Sequence, residues 1–439
     1  MKFVIRGGKK LEGEIKLAGA KNAATKMMVA SILTDEPCVL ENFPDIGDVK
    51  ITEELCRSIG SKIEREKNIL KIQTPKILNS KVVSLSRRNR IPILALGPLL
   101  ARAGEAEVPI LGGDKIGPRP VDIHIDALTA MGAKIEVLGD RYMAKAPNGL
   151  KGAKIRLRYP SVGATENTIL AAVLAEGRTI IENAAKEPEV RELIKMLQKM
   201  GALIELGVNR VVYIEGVRKM RGVTHAILPD RNEAVSFACL AVATGGRILV
   251  KDARQEDLSA FLNVLRKIGG EYEVTKEGIL FYRPANASLR AVQIETDTYP
   301  AFMTDWQQPT AVLLTQAEGQ STIHETVYED RFGYAQDLNL MGADIKVETK
   351  CLEENSRLPV VGSCRFKNKN FSHSAIITGP RKLEPASLTV RDLRSGIAHV
   401  IAALIADGES VIDGVEEIDR GYENLDDRLR KLGADIKRL

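Results

Sequence analysis

Basic, acidic and amide side chains gather at six points of this chain, each directly before a nonpolar run. The six segments are Ala20–Asn22, Arg88–Arg90, Ser161–Asn167, Asp230–Glu233, Thr304–Gln307 and Asp392–Ser395. If each nonpolar run is a helix, these side chains lie at its N-terminus, where unpaired backbone N–H groups and the helix dipole attract anions. Parallel packing of the helices would therefore create one polar, phosphate-binding region.

Some of these side chains also have a simpler explanation as helix N-caps. Ser161 and Asp230 are residue types that are favoured at this position. The same holds for Thr304 or Asp305 in the fifth segment. A capping role alone would require no ligand, so both interpretations stay open for these four residues.

Lys21, Arg90 and Arg394 are cations that lie where the dipole of the following helix would repel them. Such a placement lowers stability unless an anion offsets the repulsion. We therefore expect these side chains to bind an anionic ligand and not to serve as caps.

Glycine, proline and charged residues crowd the segment 111–124 too closely for regular secondary structure. The segment could be an ordinary surface connector. Alternatively it is a lid that hinges at Gly112–Gly113 and carries Asp114, Lys115 and Arg119 over a ligand.

The elements that must position these side chains recur six times. A nonpolar residue, a glycine and an alternating strand-like run return about every 70 residues. The glycines are Gly60, Gly132, Gly201, Gly269, Gly342 and Gly433. Between them lie nonpolar helical runs that end at small or turn residues and lead into strand-like stretches. We predict an α/β protein of six related units, each with one buried helix and one more polar helix.

The length and the charge of the chain limit the classes of protein to which it can belong. The 439 residues can bury a large core, and 63 basic against 58 acidic side chains give a net charge of only +5. This balance argues against a nucleic-acid-binding surface but leaves small anionic substrates open. Five cysteines without a CxxC pair indicate a reducing compartment. We find no membrane-spanning run and no signal sequence, so we expect a cytoplasmic protein without membrane or nucleic-acid partners.

Six longer segments carry a resemblance to a known family. They are Leu17–Ala24, Leu111–His124, Ser161–Asn167, Pro300–Gln307, Asp392–Arg394 and Asp419–Glu423. In this order they resemble the UDP-N-acetylglucosamine 1-carboxyvinyltransferases, a family of enolpyruvyl transferases. The resemblance implies two inside-out α/β barrel domains, each of three βαβαββ-like units, with the active site between them. It also implies that residues 1–20 and 231–439 form one domain, and that residues 21–230 form the other, which carries the lid.

Members of this family transfer the enolpyruvyl group of phosphoenolpyruvate to the 3-hydroxyl of UDP-N-acetylglucosamine, the first committed step of peptidoglycan synthesis. An acid protonates C3 of the enol, the sugar hydroxyl attacks C2, and the tetrahedral intermediate expels phosphate. The resemblance implies no cofactor, and we expect a monomer or weak homo-oligomer with two small-molecule substrates. The alternatives are the sister reaction on shikimate 3-phosphate, another UDP-sugar as acceptor, or an inactive regulatory protein that binds UDP-sugars.

The resemblance also assigns roles to residues of this chain. The expected catalytic residues are Asp114 as proton donor, Asp305 as base, Lys21, Arg394 and Arg420. The expected phosphoenolpyruvate site comprises Lys21, Asn22, Arg119, Arg394 and Arg420. The expected UDP-N-acetylglucosamine site comprises Asn22, Arg90, Pro120, Val121, Asp122, His124, Ser161, Val162, Gly163, Asp305, Val327 and Arg331. Arginine suits both sites because its planar guanidinium binds oxyanions through two hydrogen bonds.

One departure from the family pattern bears on the chemistry. Most members carry a cysteine at the position of Asp114, and fosfomycin alkylates that cysteine. A carboxyl group can also donate a proton if burial raises its pKa. We therefore expect an active enzyme that resists the drug.

A second departure is a stretch of about 20 additional residues around 350–374, judged by the length of the other repeats. It contains Cys351, Cys364 and His373. Their spacing is unlike that of zinc ligands, so we expect an extra surface hairpin or loop and no metal. We expect the isolated His324 to be structural.

Overall fold

The computed structural model describes residues 1–82, 84–86, 89–110, 112, 121–351, 364–366 and 369–439. These residues divide into two compact units. The first unit holds Met1–Ala18 and Pro229–Leu439, and the second holds the described residues from Gly19 to Leu228. Each unit has its own hydrophobic core.

The described residues form alternating strands and helices throughout. The strands are β1 (Lys2–Arg6), β2 (Glu12–Lys16), β3 (Cys38–Glu41), β4 (Lys62–Glu66), β5 (Ile69–Gln73), β6 (Glu105–Pro109), β7 (Lys134–Leu138), β8 (Arg141–Lys145), β9 (Lys154–Arg156), β10 (Arg178–Glu182), β11 (Leu203–Leu206), β12 (Val212–Glu215), β13 (Val223–Ala226), β14 (Arg247–Lys251), β15 (Glu271–Val274), β16 (Gly278–Tyr282), β17 (Gln293–Glu295), β18 (Gly319–His324), β19 (Asp344–Glu348), β20 (Ser374–Gly379), β21 (Ser387–Thr389), β22 (Glu409–Asp413) and β23 (Asp435–Arg438).

The helices are α1 (Lys21–Ala30), α2 (Gly47–Ile59), α3 (Leu96–Ala103), α4 (Asp122–Ala130), α5 (Val162–Ala172), α6 (Pro188–Lys199), α7 (Arg231–Ala243), α8 (Gln255–Ile268), α9 (Gln307–Leu314), α10 (Tyr334–Leu340), α11 (Leu393–Ile405), α12 (Val415–Ile418) and α13 (Leu425–Lys431). Short 3-10 helices adjoin three of them, at Ser31–Leu33 after α1, Pro92–Ala95 before α3 and Thr304–Trp306 before α9.

The first unit contains three four-stranded sheets, in the strand orders β21-β22-β1-β23, β15-β16-β14-β2 and β17-β18-β20-β19. One edge pair of each sheet is parallel, and the other pairs are antiparallel. The N-terminal strands β1 and β2 complete two of these sheets. This pairing holds the first residues of the chain in the same unit as its C-terminal half.

The second unit repeats the plan with sheets β13-β3-β5-β4, β11-β12-β10-β9 and β6-β8-β7. The pairs β13–β3 and β9–β10 are the parallel edges of the first two sheets. In the third sheet, Lys81 forms a parallel bridge to Glu107, and the Val82 N–H donates to the Glu107 carbonyl at 2.7 Å. One repeat, β9-α5-β10-α6-β11-β12, therefore shows the βαβαββ order that the family resemblance implies.

The nonpolar helices are buried, as their composition predicts. Every residue of α7 is buried, and α7, α9 and α11 pack against one another. The more polar α8 buries Leu258, Phe261 and Leu265 on one face and exposes the other, which is typical of a surface helix. Among the described residues, no helix combines the length and nonpolar composition needed to cross a bilayer.

The six repeat glycines mark helix C-termini. All six have φ between +90° and +119°, the left-handed region that side chains with a Cβ disfavour. At Gly60 the backbone N–H donates to the carbonyls of Cys56 and Arg57, at 3.2 and 3.1 Å, and so closes α2 before β4 begins. The repeated glycine is thus the turn by which the more polar helix of each unit joins the following strand.

Gly433→Ala is expected to destabilise the protein by about 1–2 kcal/mol, because φ at this position is +93°. Nothing lies within 4 Å of the added Cβ, so the effect isolates backbone conformation. Gly333→Ala is the matched control, since its surroundings are equally open and its φ is −54°. That change should be neutral or stabilising by up to about 1 kcal/mol. Urea unfolding followed by circular dichroism measures both, and equal losses would contradict the explanation.

Candidate active site

The N-termini of α7, α9 and α11 meet in the first unit. Arg394, in the first turn of α11, places Nη2 3.1 Å from Oδ2 of Asp305, which lies in the 3-10 turn before α9. Trp306, in the same turn, donates from Nε1 to Oδ1 of Asn232 in the first turn of α7, at 3.0 Å. The sequence predicted such a meeting of buried helix N-termini.

Asp305 is held by two guanidinium groups. Arg331 donates from Nη2 to Oδ1 of Asp305 at 2.6 Å, while Arg394 binds the other oxygen. The two arginine side chains are buried, but the Asp305 side chain keeps 25% of its surface exposed. A carboxylate that is oriented on both oxygens and still reaches solvent can accept a proton from a bound hydroxyl group.

Arg394 remains charged in this buried position. Burial alone would lower the pKa of its guanidinium, but the nearby carboxylates of Asp305 and Asp230 raise that pKa above its usual value. Burial raises the pKa of Tyr422 to about 12, so its phenol stays neutral and accepts a hydrogen bond from Arg394 Nη1 at 3.4 Å. Arg394 is therefore a permanent cation beside Asp305.

Glu325 connects the turn that carries Asp305 with the segment that leads to Arg331. Its carboxylate accepts from Thr304 Oγ1 at 2.9 Å and from the Val327 and Tyr328 N–H groups at 2.7 and 3.0 Å. Burial raises its pKa. The sequence analysis did not identify Glu325, because a glutamate at the end of a strand carries no signal that it is buried.

Arg420 is buried after α12, and its Nη1 lies 2.9 Å from Oε2 of Glu417. The preceding Asp419 accepts two hydrogen bonds from Arg438 on β23, at 2.7 and 2.9 Å. These bonds fix the segment Asp419–Glu423 to the sheet. The predicted anion-binding role of Arg420 stays a prediction.

The buried helices of the second unit also run in the same direction. Their C-terminal ends line one pocket, which Leu33, Ala101 and Leu174 share. Arg102 donates there to the carbonyls of Ile32 and Thr34, at 2.8 and 3.1 Å, and so neutralises the negative ends of the helix dipoles. The N-termini of α1, α3 and α5 therefore lie together at the opposite end.

Lys21 and Asn22 are the first residues of α1. Lys21 Nζ lies 2.9 Å from Oδ2 of Asp48, in the first turn of α2, and both side chains are largely buried. Asp48 therefore offsets the unfavourable position of Lys21, as Asp305 does for Arg394. For Lys21 and Arg394 the protein itself supplies the anion, so their position does not by itself require a ligand. The anion-binding role expected for these residues and for Arg90 stays a prediction.

His124 lies against the N-terminus of α5. Its Nδ1 is 3.2 Å from Asn167 Nδ2, and a Cβ at Gly163 would approach the ring to 3.0 Å. Burial, together with the charge of Arg90, lowers the pKa of His124 to about 3, so the imidazole is neutral. Ser161 caps the same helix by accepting from the Ala164 N–H at 3.3 Å, which supports the capping interpretation.

Two boundaries differ from the sequence prediction. The predicted loop 111–124 ends at Val121, because Asp122 already begins α4, where an acidic side chain is favourable. Asp122 also forms an ion pair with Arg158. Arg90 does not open a helix directly, since the next element is the 3-10 helix that begins at Pro92.

The structure does not describe three predicted site residues. Asp114, Arg119 and Pro120 lie outside the described residues. Among the others, it brings Asp305, Arg331 and Arg394 together in the first unit, with Val327 attached through Glu325. In the second unit it brings together His124, Ser161, Val162 and Gly163. The predicted position of the active site between two domains stays a prediction.

Comparison with known proteins identifies the family. The chain matches the family model described as EPSP synthase (3-phosphoshikimate 1-carboxyvinyltransferase) over residues 5–429. It is 49% identical over 439 residues to the UDP-N-acetylglucosamine 1-carboxyvinyltransferase of Chlamydia abortus, covering 99% of this chain and 97% of that protein. The chain belongs to the enolpyruvyl transferase family. The resemblance recognised in the sequence is thereby confirmed.

A second relative supports the family assignment, and two solved structures share the fold. A UDP-N-acetylglucosamine 1-carboxyvinyltransferase of Carboxydothermus hydrogenoformans is 41% identical over 440 residues, which cover 100% of this chain and 98% of that protein. The enolpyruvyl transferase NikO of Streptomyces tendae superposes with a TM-score of 0.84 at 22% identity, covering 99% of this chain and 98% of that structure. EPSP synthase of Acinetobacter baumannii superposes with a TM-score of 0.75 at 18% identity over all of both chains. These two structures confirm the predicted fold class.

A buried lysine–glutamate pair lies below the α1 N-terminus of this enolpyruvyl transferase. Lys26 Nζ donates to the Asn22 carbonyl at 2.6 Å and lies 3.9 Å from Oε2 of Glu166. Burial raises the pKa of Glu166 to about 7; Lys26 opposes the shift, and the carboxylates of Glu189 and Glu187 add to it. At a pH between the pKa of Glu166 in the unfolded state and its pKa in the folded state, this residue therefore takes up a proton when the protein folds.

Glu166→Gln should make stability less sensitive to pH. The folded pKa of about 7 exceeds the ordinary value of 4.5, so the native protein loses stability as pH rises between these values. A glutamine cannot ionise. The variant should therefore be more stable relative to the wild type at pH 8 than it is relative to the wild type at pH 5. Glu176→Gln, at a largely exposed position, is the control. Parallel pH profiles for all three proteins, measured by scanning calorimetry, would contradict the assignment.

Proposed function

We propose that this chain transfers the enolpyruvyl group of phosphoenolpyruvate to the 3-hydroxyl of UDP-N-acetylglucosamine and releases phosphate. The observation that carries the proposal is the Asp305 carboxylate, oriented by Arg331 and Arg394 at the meeting point of three helix N-termini. The acceptor is taken from the names of the relatives that match this chain over nearly its whole length. In a cell with a peptidoglycan wall, this reaction would be the first committed step of wall synthesis.

The proposed chemistry needs three kinds of group. Cations must hold the phosphate and carboxylate of phosphoenolpyruvate, and we assign this role to Lys21, Arg119, Arg394 and Arg420. Asp114 would protonate C3, which makes C2 electrophilic. Asp305 would accept the proton of the sugar hydroxyl as its oxygen bonds to C2. Loss of a C3 proton and of the phosphate from the tetrahedral intermediate then restores the double bond.

Cations near the reacting atoms have a second effect. The intermediate carries a phosphate, a carboxylate and developing negative charge, and fixed guanidinium groups stabilise all three without reorganisation. Arg394 is suited to this role because its pKa is raised and its position is set by Asp305 and Tyr422. We propose the cytoplasm as the location, in keeping with the free thiols of Cys38, Cys56 and Cys239.

One coupled assay distinguishes the candidate functions. Phosphate release from phosphoenolpyruvate is measured with UDP-N-acetylglucosamine, with other UDP-sugars and with shikimate 3-phosphate as acceptor. The proposal requires the highest kcat/KM with UDP-N-acetylglucosamine. Faster turnover of shikimate 3-phosphate would support the sister reaction, and no turnover combined with UDP-sugar binding would support an inactive regulatory protein.

Asp305→Ala should lower kcat by at least about 100-fold, because a general base typically contributes that much. Binding of UDP-N-acetylglucosamine, measured by calorimetry, should change far less, since the residue acts on the reacting hydroxyl. Asp407→Ala is the control, because this aspartate is exposed at the distant end of α11. Unchanged turnover in the Asp305 variant would remove this residue from the mechanism.

Fosfomycin should neither inhibit the protein nor add mass to it. A carboxyl group at Asp114 lacks the nucleophilic thiolate that the drug alkylates. The reciprocal variant Asp114→Cys should become sensitive and should gain the mass of one fosfomycin molecule. Intact-mass spectrometry and the phosphate-release assay measure both effects. A drug adduct on Asp114 of the unaltered protein would refute the prediction.

A further inference from the structure

Four side chains that the reaction does not use converge in the first unit. They are His324, Cys351, Cys364 and His373, and one potential ligand atom from each lies within 4.8 Å of the others. The shortest separation given by the structure is 3.4 Å, between Cys351 Sγ and His373 Nε2. His324 ends β18, Cys351 follows β19 and His373 directly precedes β20, so the cluster lies at one end of this sheet.

Both imidazole rings are oriented by a hydrogen bond on the nitrogen that faces away from the cluster. His324 donates from Nδ1 to Oε2 of Glu295 at 2.9 Å, and His373 donates from Nδ1 to the Phe371 carbonyl at 2.7 Å. A neutral imidazole that donates through Nδ1 has a free lone pair on Nε2. Metal-binding histidines show this arrangement, in which a carboxylate or carbonyl fixes the ring.

The surroundings of the His324 Nε2 atom provide a second observation that points to a ligand. The side chain is 1% exposed, and Nε2 is buried without a hydrogen-bond partner among the described residues. A buried polar atom left in this state lowers the stability of the protein, because it has lost its water and gained no partner. A thiol hydrogen bond from Cys351 to His373 accounts for one contact of the cluster, but it does not satisfy His324.

We propose that His324, Cys351, Cys364 and His373 bind one Zn²⁺ ion in a tetrahedral Cys2His2 site. Two sulfur and two nitrogen donors are a ligand set that favours zinc over magnesium or calcium. Zinc–sulfur and zinc–nitrogen bonds of ordinary length would bring the four ligand atoms to about 3.3–3.8 Å from one another, so the cluster needs only a small contraction. Each thiol loses its proton to become a ligand, and binding therefore releases two protons.

A site with four protein ligands leaves no position for a substrate, so the metal is structural. It fastens three described residues between β19 and β20 to the end of β18. The next residue after β18 is Glu325, whose carboxylate holds the segments that carry Asp305 and Arg331. Phe366 packs against the rings of His373 and Phe371, at 5.8 and 6.0 Å between centroids, and supplies a nonpolar shell.

The decisive measurement is the zinc content of the full chain, purified without a metal-affinity tag or chelator and analysed by plasma mass spectrometry. We expect about one zinc per chain in the wild type. Cys364→Ser and His373→Gln should each lose most of it. The matched control is Cys239→Ser, because that buried thiol lies in α7 near Thr310 and belongs to no cluster among the described residues. The control should keep its zinc.

Cobalt binding by the wild-type protein provides a test that does not depend on whether the variants fold. Wild-type protein, stripped of metal and refilled with Co²⁺, should show thiolate-to-cobalt charge transfer and the strong visible bands of a tetrahedral site. Absence of both zinc and these bands would overturn the proposal. So would retention of zinc in the two ligand variants, or a Cys351–Cys364 disulfide found by peptide mapping. None of these readouts requires turnover, so the result stands whether or not the proposed reaction is observed.

Discussion

The arrangement of charge at the ends of buried helices is the constraint on which the rest of the structure depends. Helices packed in the same direction place their unpaired N–H groups together, and this end attracts anions. The protein places carboxylates there, Asp305 in the first unit and Asp48 in the second, and pairs each with a cation. The polar end of each bundle is therefore a balanced network of charges, fixed by the nonpolar packing below it.

This balance has a consequence for chemistry. A cation that is already positioned by a carboxylate needs no rearrangement to hold a phosphate, and a carboxylate fixed by two guanidinium groups keeps its lone pairs in a defined direction. Arg394 shows how the network maintains charge in a buried place, since nearby anions raise its pKa against the effect of burial. Glu325 extends the network into the core and joins two segments that are about twenty residues apart in the chain.

The extra residues between β19 and β20 follow a different principle. The described part brings two cysteines and a histidine against His324. A small segment that cannot bury enough nonpolar surface is commonly held by a metal or a disulfide instead. The cluster therefore provides a means of attaching this insertion to its sheet, and the regular repeats do not need one.

The sequence alone determined the repeated fold, because glycine at each helix C-terminus, nonpolar helical runs and alternating strands are local features with a period that can be counted. It also located Lys21, Asp305 and Arg394 at helix N-termini, and the family resemblance supplied the roles proposed for them. Only the tertiary structure decided which charges pair, since Asp48, Glu325 and Arg331 come from other elements. The same holds for His324 and His373: residues at the ends of different strands have no characteristic spacing in the sequence, and only folding places them side by side.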